Sequence, residues 1–366
     1  MDPARFETME VASRIDRLRA VMAEAAVEAL VVGNLTNVRY LSGFTGSAGL
    51  LVVTGTDALL VTDGRYTDQA AAQLAESGAP VELRVTRAVR EALGAVVEGL
   101  TSIGLEAASV TWEAQRSYAQ WWGTDRVVPT DGLVEGLRIR KDRGELDRMA
   151  AAAAIADAAL EQVAPMLGDE PTERAFAREL DHAMLVLGAE ARSFETIVAS
   201  GPNAARPHAR PGDRRITSGE TVVVDFGAVV DGYHSDMTRT LSVGPLDDRL
   251  QRLFDAVLAS QAAGVAAVSG GVEAAEVDRA CRSVLIERGL DQWFTHGTGH
   301  GVGLDIHEAP WVSSHSTATL AAGQVVTVEP GVYVSGVAGV RIEDTVVVTD
   351  DGCDTLTTSP KTLDLS

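Results

Sequence analysis

Two aspartates, Asp225 and Asp236, interrupt an otherwise apolar strand pattern. Between them lies Asp231-Gly232, a dipeptide typical of the two-residue turn of a β-hairpin. With that turn, Gly227 faces Asp236, and Asp225 lies two residues along on the same side of the sheet. Both carboxylates then point into one site. Two anions held so close in an apolar setting repel each other and lose hydration, so the hairpin predicts a metal site.

A glycine-rich stretch at 296–310 adds two histidines, His296 and His300, four residues apart. On a helix this spacing would suggest the zinc pair of the His-Glu-x-x-His peptidases, but the four glycines among residues 297–303 disfavour a helix. The glycines also miss the G-x-G-x-x-G spacing of a dinucleotide-binding loop. In an extended conformation both histidines lie on one side, and glycine leaves room for a substrate backbone. We interpret the stretch as a substrate-lined metal loop.

Two further acids follow apolar strand patterns near the C-terminal end of the chain. Glu329 ends the apolar run 325–328, and Glu343 lies two residues after Arg341 on the same predicted strand face. The complete set of candidate metal ligands is Asp225, Asp236, His300, Glu329 and Glu343. One imidazole and four carboxylates suit Mn²⁺, Co²⁺ or Zn²⁺. Four carboxylates exceed the need of one divalent ion, whereas two ions about 3.5–4 Å apart share bridging carboxylates and a hydroxide and catalyse hydrolysis.

Composition narrows the class of protein. A chain of 366 residues is long enough for two domains. Its 31 Lys and Arg against 52 Asp and Glu give a net charge of −21, which disfavours nucleic acid and anionic membranes as partners. The run Ala150–Ala159 predicts a helix too short to span a membrane. Two cysteines, Cys281 and Cys353, and an acidic N-terminus without an apolar segment indicate a cytoplasmic protein without a signal peptide.

The order of predicted elements indicates two domains, 1–135 and 136–366. In the first, helices alternate with short strands, which is the pattern of an α/β domain with a mixed sheet. Within it, the polar and glycine-rich residues 34–49 are predicted to form turns. In the second domain, a pair of helices followed by a pair of strands occurs twice, at about residues 140–240 and 248–350, and this order suggests an internal duplication.

The five candidate ligands and the strings around them resemble the pita-bread metallopeptidases, in particular aminopeptidase P and prolidase. The strings are His-Gly-Thr-Gly-His-Gly at 296–301, His-Glu-Ala-Pro at 307–310, Glu-Pro-Gly-Val-Tyr at 329–333, Arg-Ile-Glu-Asp at 341–344, Phe-Thr-Gly-Ser-Ala-Gly at 44–49 and Asp-Gly-Arg-Tyr at 63–66. The last two resemble the family's N-terminal domain. The resemblance implies an α+β protein with a C-terminal pita-bread domain and an N-terminal α/β creatinase-like domain.

The resemblance also implies a role for each ligand. Asp225 would bind one metal ion, and His300 and Glu329 the other, while Asp236 and Glu343 would bridge the two. A hydroxide between the metals would attack the scissile carbonyl, with Glu329 as the proton shuttle that serves the leaving amine. Two divalent ions are expected, Mn²⁺ first, with Co²⁺ or Zn²⁺ as alternatives.

Four more residues receive roles from the resemblance. His208 and His307 would donate hydrogen bonds to the substrate and to the tetrahedral intermediate. His296 would line the pocket for proline, which must be recognised by shape because an Xaa-Pro bond has no amide N–H. Arg341 would orient the metal-binding carboxylates.

The activity expected first is that of an Xaa-Pro aminopeptidase, which removes the N-terminal residue from Xaa-Pro peptides. The alternative is an Xaa-Pro dipeptidase, or prolidase, which accepts dipeptides only. A third reading, a non-catalytic pita-bread binding protein, predicts lost ligands and often basic tails, and the acidic chain has neither. The resemblance further implies a homodimer.

Overall fold

The computed structural model describes residues 6–362. The chain forms two compact units, one of Thr8–Arg138 and one of Ile139–Ser366 together with Met1–Glu7. The division follows the helix Leu133–Arg138, and the predicted boundary at residue 135 falls inside that helix. Each unit contains its own hydrophobic cluster, as a separately packed domain requires.

The first unit is built on one mixed sheet of six strands. The strands are β1 (Ala29–Val32), β2 (Leu50–Thr54), β3 (Ala58–Thr62), β4 (Glu82–Val85), β5 (Ile103–Glu106) and β6 (Val127–Thr130). Their order is β4-β3-β2-β1-β5-β6, with β1, β2 and β3 antiparallel and the outer pairings parallel. The helices are α1 (Val11–Glu24), α2 (Leu35–Ser42), α3 (Thr67–Ser77), α4 (Val89–Val96), α5 (Trp112–Trp122) and α6 (Leu133–Arg138). The predicted mixed α/β sheet is present.

The prediction of turns for residues 34–49 is wrong in its first half, because α2 occupies residues 35–42. The side chain of Asn34 accepts a hydrogen bond from Thr36 N and caps the helix, and Gly43 ends it with a φ of 76°. The helix buries Val38, Tyr40 and other residues of one face. Residues that favour turns therefore mark the two ends of a short helix here.

The second unit contains two helix pairs and a set of short strands. The helices are α7 (Arg143–Val163), α8 (Glu173–Val186), α9 (Asp248–Ala267) and α10 (Ala274–Glu287). The strands are β7 (Ala191–Arg192), β8 (Ile197–Ser200), β9 (Thr221–Phe226), β10 (Ala228–Val230), β11 (Tyr233–His234), β12 (Met237–Ser242), β13 (Gly299–Gly301), β14 (Glu308–Val312), β15 (Val325–Val328), β16 (Gly331–Val334), β17 (Ala338–Arg341), β18 (Asp344–Val348) and β19 (Cys353–Thr355). Within the glycine-rich stretch 296–310, which the sequence predicts to be an extended metal loop, Gly299–Gly301 forms β13 and β14 begins at Glu308.

The second unit repeats one order of elements twice, as the sequence spacing predicts. In the first half, α7 and α8 are followed by the antiparallel ladder β8-β9-β12, with the hairpin β10–β11 between β9 and β12. In the second half, α9 and α10 are followed by β13-β15-β18, with the hairpin β16–β17 between β15 and β18. Each half packs its own apolar cluster. Equivalent strand ends in the two halves can therefore carry equivalent side chains.

Helix α7 is longer than the alanine-rich run predicts. With the 3₁₀ turn that follows it, it reaches Asp169, and by length and composition this stretch could cross a membrane. Half of the apolar window is buried inside the unit, where Ala152, Ala156 and Ala159 pack in the core. A capping box joins Asp142 and Glu145 at its start. These contacts make it the central helix of the first half.

Candidate active site

The first half places Asp225 and Asp236 on one face of a hairpin. Both residues of the Asp-Gly turn have positive φ, 45° and 70°, which is the geometry of a type I′ turn. The register that begins at this turn continues to the pair Thr238 and Asp225, so Asp236 lies opposite Gly227, as predicted. A Cβ atom on Gly227 would lie 1.9 Å from the carbonyl oxygen of Ser235. Glycine is therefore required at position 227, where the backbone of the facing hairpin segment leaves no room for a Cβ atom.

The second half places two glutamates at equivalent strand ends. Val328 of β15 pairs with Asp344 of β18, so the next residues, Glu329 and Glu343, face each other where the ladder ends. His300 lies in the neighbouring strand β13. In each half, one acid thus lies at the end of the middle strand of the ladder, β9 or β15, and one lies just before the last strand, β12 or β18.

Contacts between β12 and β18 join the two halves at the acids. Thr345 Oγ1 donates to the carbonyl oxygen of Asp236 at 2.8 Å. Glu343 N donates to the carbonyl oxygen of Thr238 at 3.1 Å, and Thr238 Oγ1 donates to Glu343 Oε2 at 2.7 Å. These hydrogen bonds fix Asp236 and Glu343 beside each other.

The five predicted ligands meet at this junction. His300 Nε2 lies 3.6 Å from Asp236 Oδ2 and 3.5 Å from Glu329 Oε1. One ligand atom each from Asp236, His300 and Glu343 lies within 4.8 Å of the other two. Asp225 enters the cluster from β9, where its Oδ2 accepts a hydrogen bond of 2.5 Å from Arg341 Nη2.

Two carboxylate oxygens of the cluster are buried without a hydrogen-bond partner among residues 6–362. They are Asp225 Oδ1 and Glu343 Oε1. A buried carboxylate oxygen without a donor loses its hydration, at a free-energy cost of several kcal/mol. A divalent cation compensates such oxygens, and carboxylates with an imidazole are a donor set that such ions prefer. The residues present therefore fit a metal centre.

Burial also sets the protonation states of the acids and of His300 in this cluster. Burial raises the pKa of Glu329 to about 8 and raises the pKa of Asp236 and of Glu343, with further increases from neighbouring carboxylates. Burial lowers the pKa of His300 to about 4, so its ring is neutral. His300 Nδ1 lies 2.9 Å from the carbonyl oxygen of Gly301 and must carry the proton, because a carbonyl only accepts. The lone pair of Nε2 then faces the acids, as a metal ligand requires.

A chain of hydrogen bonds runs from Asp225 to His296. Arg341, which is buried, donates to Asp225, to Thr238 Oγ1 at 3.1 Å and to the hydroxyl of Tyr333 at 2.8 Å. His296 Nδ1 lies 2.7 Å from a carbonyl oxygen and its Nε2 lies 2.9 Å from the Tyr333 hydroxyl, so Tyr333 donates to His296. Arg341 therefore orients one carboxylate of the cluster and, through Tyr333, one histidine.

The predicted substrate-contacting histidines line one cleft with the acids. The cleft has a volume of about 900 Å³ and its walls include His208, His296 and His307. The His307 ring meets the His300 ring edge to face, with 4.4 Å between centroids, and burial lowers the pKa of His307. Trp311, whose surface is 55% exposed, stands in the same wall.

Sequence reasoning did not assign three residues that the structure places at the site. Thr238 bonds to both Glu343 and Arg341, Tyr333 links Arg341 to His296, and Trp311 lines the cleft. Tyr333 belongs to the string at 329–333, but nothing in the spacing shows that it bonds to His296, which is 37 residues away. His234 of β11 is partly buried, and its Nδ1 lies 2.8 Å from Ser193 Oγ.

Comparison with known families agrees with this geometry. Residues 147–350 match metallopeptidase family M24, and residues 14–140 match the Creatinase/Prolidase N-terminal domain. The chain belongs to metallopeptidase family M24.

Relatives of known name cover nearly the whole chain. An Xaa-Pro dipeptidase of Pyrococcus horikoshii is 31% identical over 96% of this chain and 98% of its own length. The structure of an Xaa-Pro dipeptidase from Bacillus anthracis is 37% identical, with a TM-score of 0.92 and coverage of 96% of this chain and 99% of that one. The structure of an X-Pro aminopeptidase from Thermotoga maritima is 32% identical, with a TM-score of 0.86 and coverage of 95% and 99%.

These likenesses confirm the resemblance drawn from the sequence. The M24 protein has an α+β fold, with a C-terminal pita-bread domain and an N-terminal creatinase-like domain. It is an enzyme of the metallopeptidase class, and membership of the family implies divalent metal ions.

Metal binding to this cluster is expected to release protons. Burial raises the pKa of Glu329 to about 8 and also raises the pKa of Asp236 and of Glu343, so the metal-free acids retain protons that a metal ion must displace. The affinity for Mn²⁺ should therefore rise between about pH 6 and 8, as Glu329 loses its proton more readily. Calorimetric titration in buffers of different ionisation enthalpy measures both quantities. An affinity that is constant over this range, without proton release, would contradict the assignment.

Proposed function

We propose that this protein is an Xaa-Pro dipeptidase that uses two divalent metal ions. The observation that supports it most is the meeting of one imidazole and four carboxylates in a cleft, where two buried carboxylate oxygens have no hydrogen-bond partner within the described part of the chain. The sequence alone favours the aminopeptidase first, but the names of the relatives favour the dipeptidase. The likeness to an X-Pro aminopeptidase keeps that activity as the second candidate.

The metal ions are proposed to be Mn²⁺, with Co²⁺ or Zn²⁺ as alternatives. Asp225 would hold one ion, His300 and Glu329 the other, and Asp236 and Glu343 both. When bound, such a pair of ions activates water and polarises the scissile carbonyl. Arg341 would keep the Asp225 carboxylate in position, since it already donates to it at 2.5 Å.

Glu329 is proposed to move the proton of the reaction. Its carboxylate would accept a proton from the attacking water as the new C–O bond forms, and would deliver it to the proline nitrogen as the C–N bond breaks. Its location supports the role, because it follows β15 at the cleft and its Oε1 lies 3.5 Å from His300 Nε2. A contact with Thr327 Oγ1 at 3.4 Å helps to hold the carboxylate.

Substrate contacts are proposed for three histidines. His208 and His307 would donate hydrogen bonds to the carbonyl oxygen as negative charge develops on it. His296 would line the proline pocket; Phe294 meets its ring edge to face at 5.1 Å, and a hydrogen bond from Tyr333 holds its orientation. An aromatic wall suits a proline ring, which offers shape and apolar surface but no amide donor.

The cellular setting is proposed from composition and resemblance. A net charge of −21 and two free cysteines support a cytoplasmic protein that binds neither nucleic acid nor membranes. The partners we propose are a proline-containing dipeptide and a second copy of the chain.

Hydrolysis of a matched substrate pair tests the proposed activity. Chelator-stripped protein is expected to cleave Xaa-Pro only after Mn²⁺ is added, and to cleave Xaa-Pro-Yaa-Yaa much more slowly. An Xaa-Ala dipeptide serves as the control for proline recognition. Faster cleavage of the longer peptide would replace the dipeptidase by the aminopeptidase, and no metal-dependent cleavage of any peptide would contradict both.

Substitution Glu329→Gln tests the proton transfer. We expect kcat to fall by about 10²- to 10⁴-fold, because the amide cannot accept the proton. The matched control is Glu161→Gln, an exposed acid of α7 outside the cleft lining, which should leave kcat unchanged. Metal content is measured on each variant, and kcat is compared per metal-loaded site. Full activity in a metal-loaded Glu329→Gln protein would rule out the role.

A further inference from the structure

The loop that carries His307 is short and connects two strands of the site. It runs from β13, which contains His300, to β14, which begins at Glu308. His307 is the last residue before β14, and its ring meets that of His300 at 4.4 Å. Whatever fixes the conformation of residues 302–307 therefore fixes the imidazole of His307 in the cleft.

A buried ion pair lies at the base of this loop. Lys141 Nζ lies 3.4 Å from Glu308 Oε2, and the two side chains are 1% and 7% exposed. The charge-dense stretch that precedes α7 therefore contributes a lysine to the interior of the unit. Breaking a pair so deeply buried is costly, because removing either partner leaves the other charge buried without its counter-ion.

Both ends of the pair are attached to backbone. Lys141 N donates to the carbonyl oxygen of Gly323 at 2.8 Å, and Lys141 Nζ also donates to the carbonyl oxygen of Ile139 at 3.3 Å. On the other side, Glu308 Oε1 accepts a hydrogen bond of 3.0 Å from Asp305 N inside the loop. The carboxylate of Glu308 thus connects a fixed lysine to the backbone two residues before His307.

The loop passes directly over the pair at Gly303. A Cβ atom at this position would lie 2.6 Å from Glu308 Oε1 and 2.9 Å from Lys141 Cε. The Gly303 carbonyl oxygen accepts a hydrogen bond of 2.9 Å from His234 N. Glycine thus lets the backbone lie against the ion pair, so that a shift of Glu308 must shift the loop.

We propose that Lys141 is a positioning residue for His307 and acts through Glu308. Lys141 does not touch the substrate; it holds the Glu308 carboxylate where that carboxylate binds Asp305 N and shapes the loop. The expected effect on kcat rests on the proposed peptidase function, whereas the expected effect on the position of the His307 ring does not. A misplacement of about 1 Å in a group that contacts the reacting atoms can reduce the rate about 10²-fold.

Four variants test this coupling, with one control. Lys141→Met removes the charge at similar length, and Lys141→Arg keeps it. Glu308→Gln keeps an acceptor for Asp305 N, and the double variant Lys141→Met/Glu308→Gln removes both charges together. The control is Arg143→Met, a neighbouring cation whose side chain is 79% exposed.

The measurements are kcat and KM on Xaa-Pro, metal content, melting temperature and the side-chain NMR signals of the histidines. In Lys141→Met we expect kcat per metal-loaded site to fall about 10- to 10²-fold with KM within about twofold, and the His307 signals to shift. Assignment comes from His307→Asn. Lys141→Arg should recover part of the loss. The double variant should recover most of it, because no unpaired buried charge remains, and Arg143→Met should match the unmodified protein.

Two results would overturn the proposal. One is a Lys141→Met protein in which melting temperature or metal content falls while kcat per metal-loaded site and the His307 signals stay unchanged, since that describes a structural role alone. The other is a double variant no more active than either single variant. If the unmodified protein fails to cleave Xaa-Pro at all, the proposed function is wrong, and the His307 signals still decide the positioning role.

Discussion

Four carboxylates, two buried and two largely buried, surround one imidazole, and the second unit must hold them together. Burial, and after it the repulsion between neighbouring carboxylates, raises the pKa values of Asp236, Glu329 and Glu343. The cluster must hold either protons or cations. Since proteins rarely bury charged acids without partners, bound cations are the compensation that this arrangement fits. The fold must therefore supply the free energy that brings these acids together.

Backbone geometry and a buried ion pair hold the acids in place. The repeated strand order brings one acid pair from each half to equivalent strand ends, and Arg239 locks the halves together. Its guanidinium, 1% exposed, lies 3.0 Å from Asp344 Oδ1 and also donates to the carbonyl oxygens of Glu343, Thr238 and Ser359. Removing one partner of such a pair costs about 3–5 kcal/mol. Glu343, the proposed metal ligand, is thus held by its chain neighbour and by a segment near the C-terminus.

Local signals in the sequence predicted the parts of the site that depend on local geometry. The Asp-Gly turn predicted the register that places Asp225 and Asp236 on one face, because a two-residue hairpin leaves no freedom in pairing. The residues that hold the site were missed, since their partners are distant in sequence. Thr238 meets Glu343 105 residues away, and Lys141 meets Glu308 167 residues away. Helix α2 was missed for another reason: its capping Asn34 and Gly43 are also turn residues.

The proposed function requires that the five side chains bind two cations between them. It is tested most directly by diffraction from crystals grown with Mn²⁺, recorded at the manganese absorption edge. Two anomalous peaks about 3.5–4 Å apart are expected, with Asp236 and Glu343 in contact with both ions. A single peak in the cluster, or peaks only elsewhere on the molecule, would contradict the account.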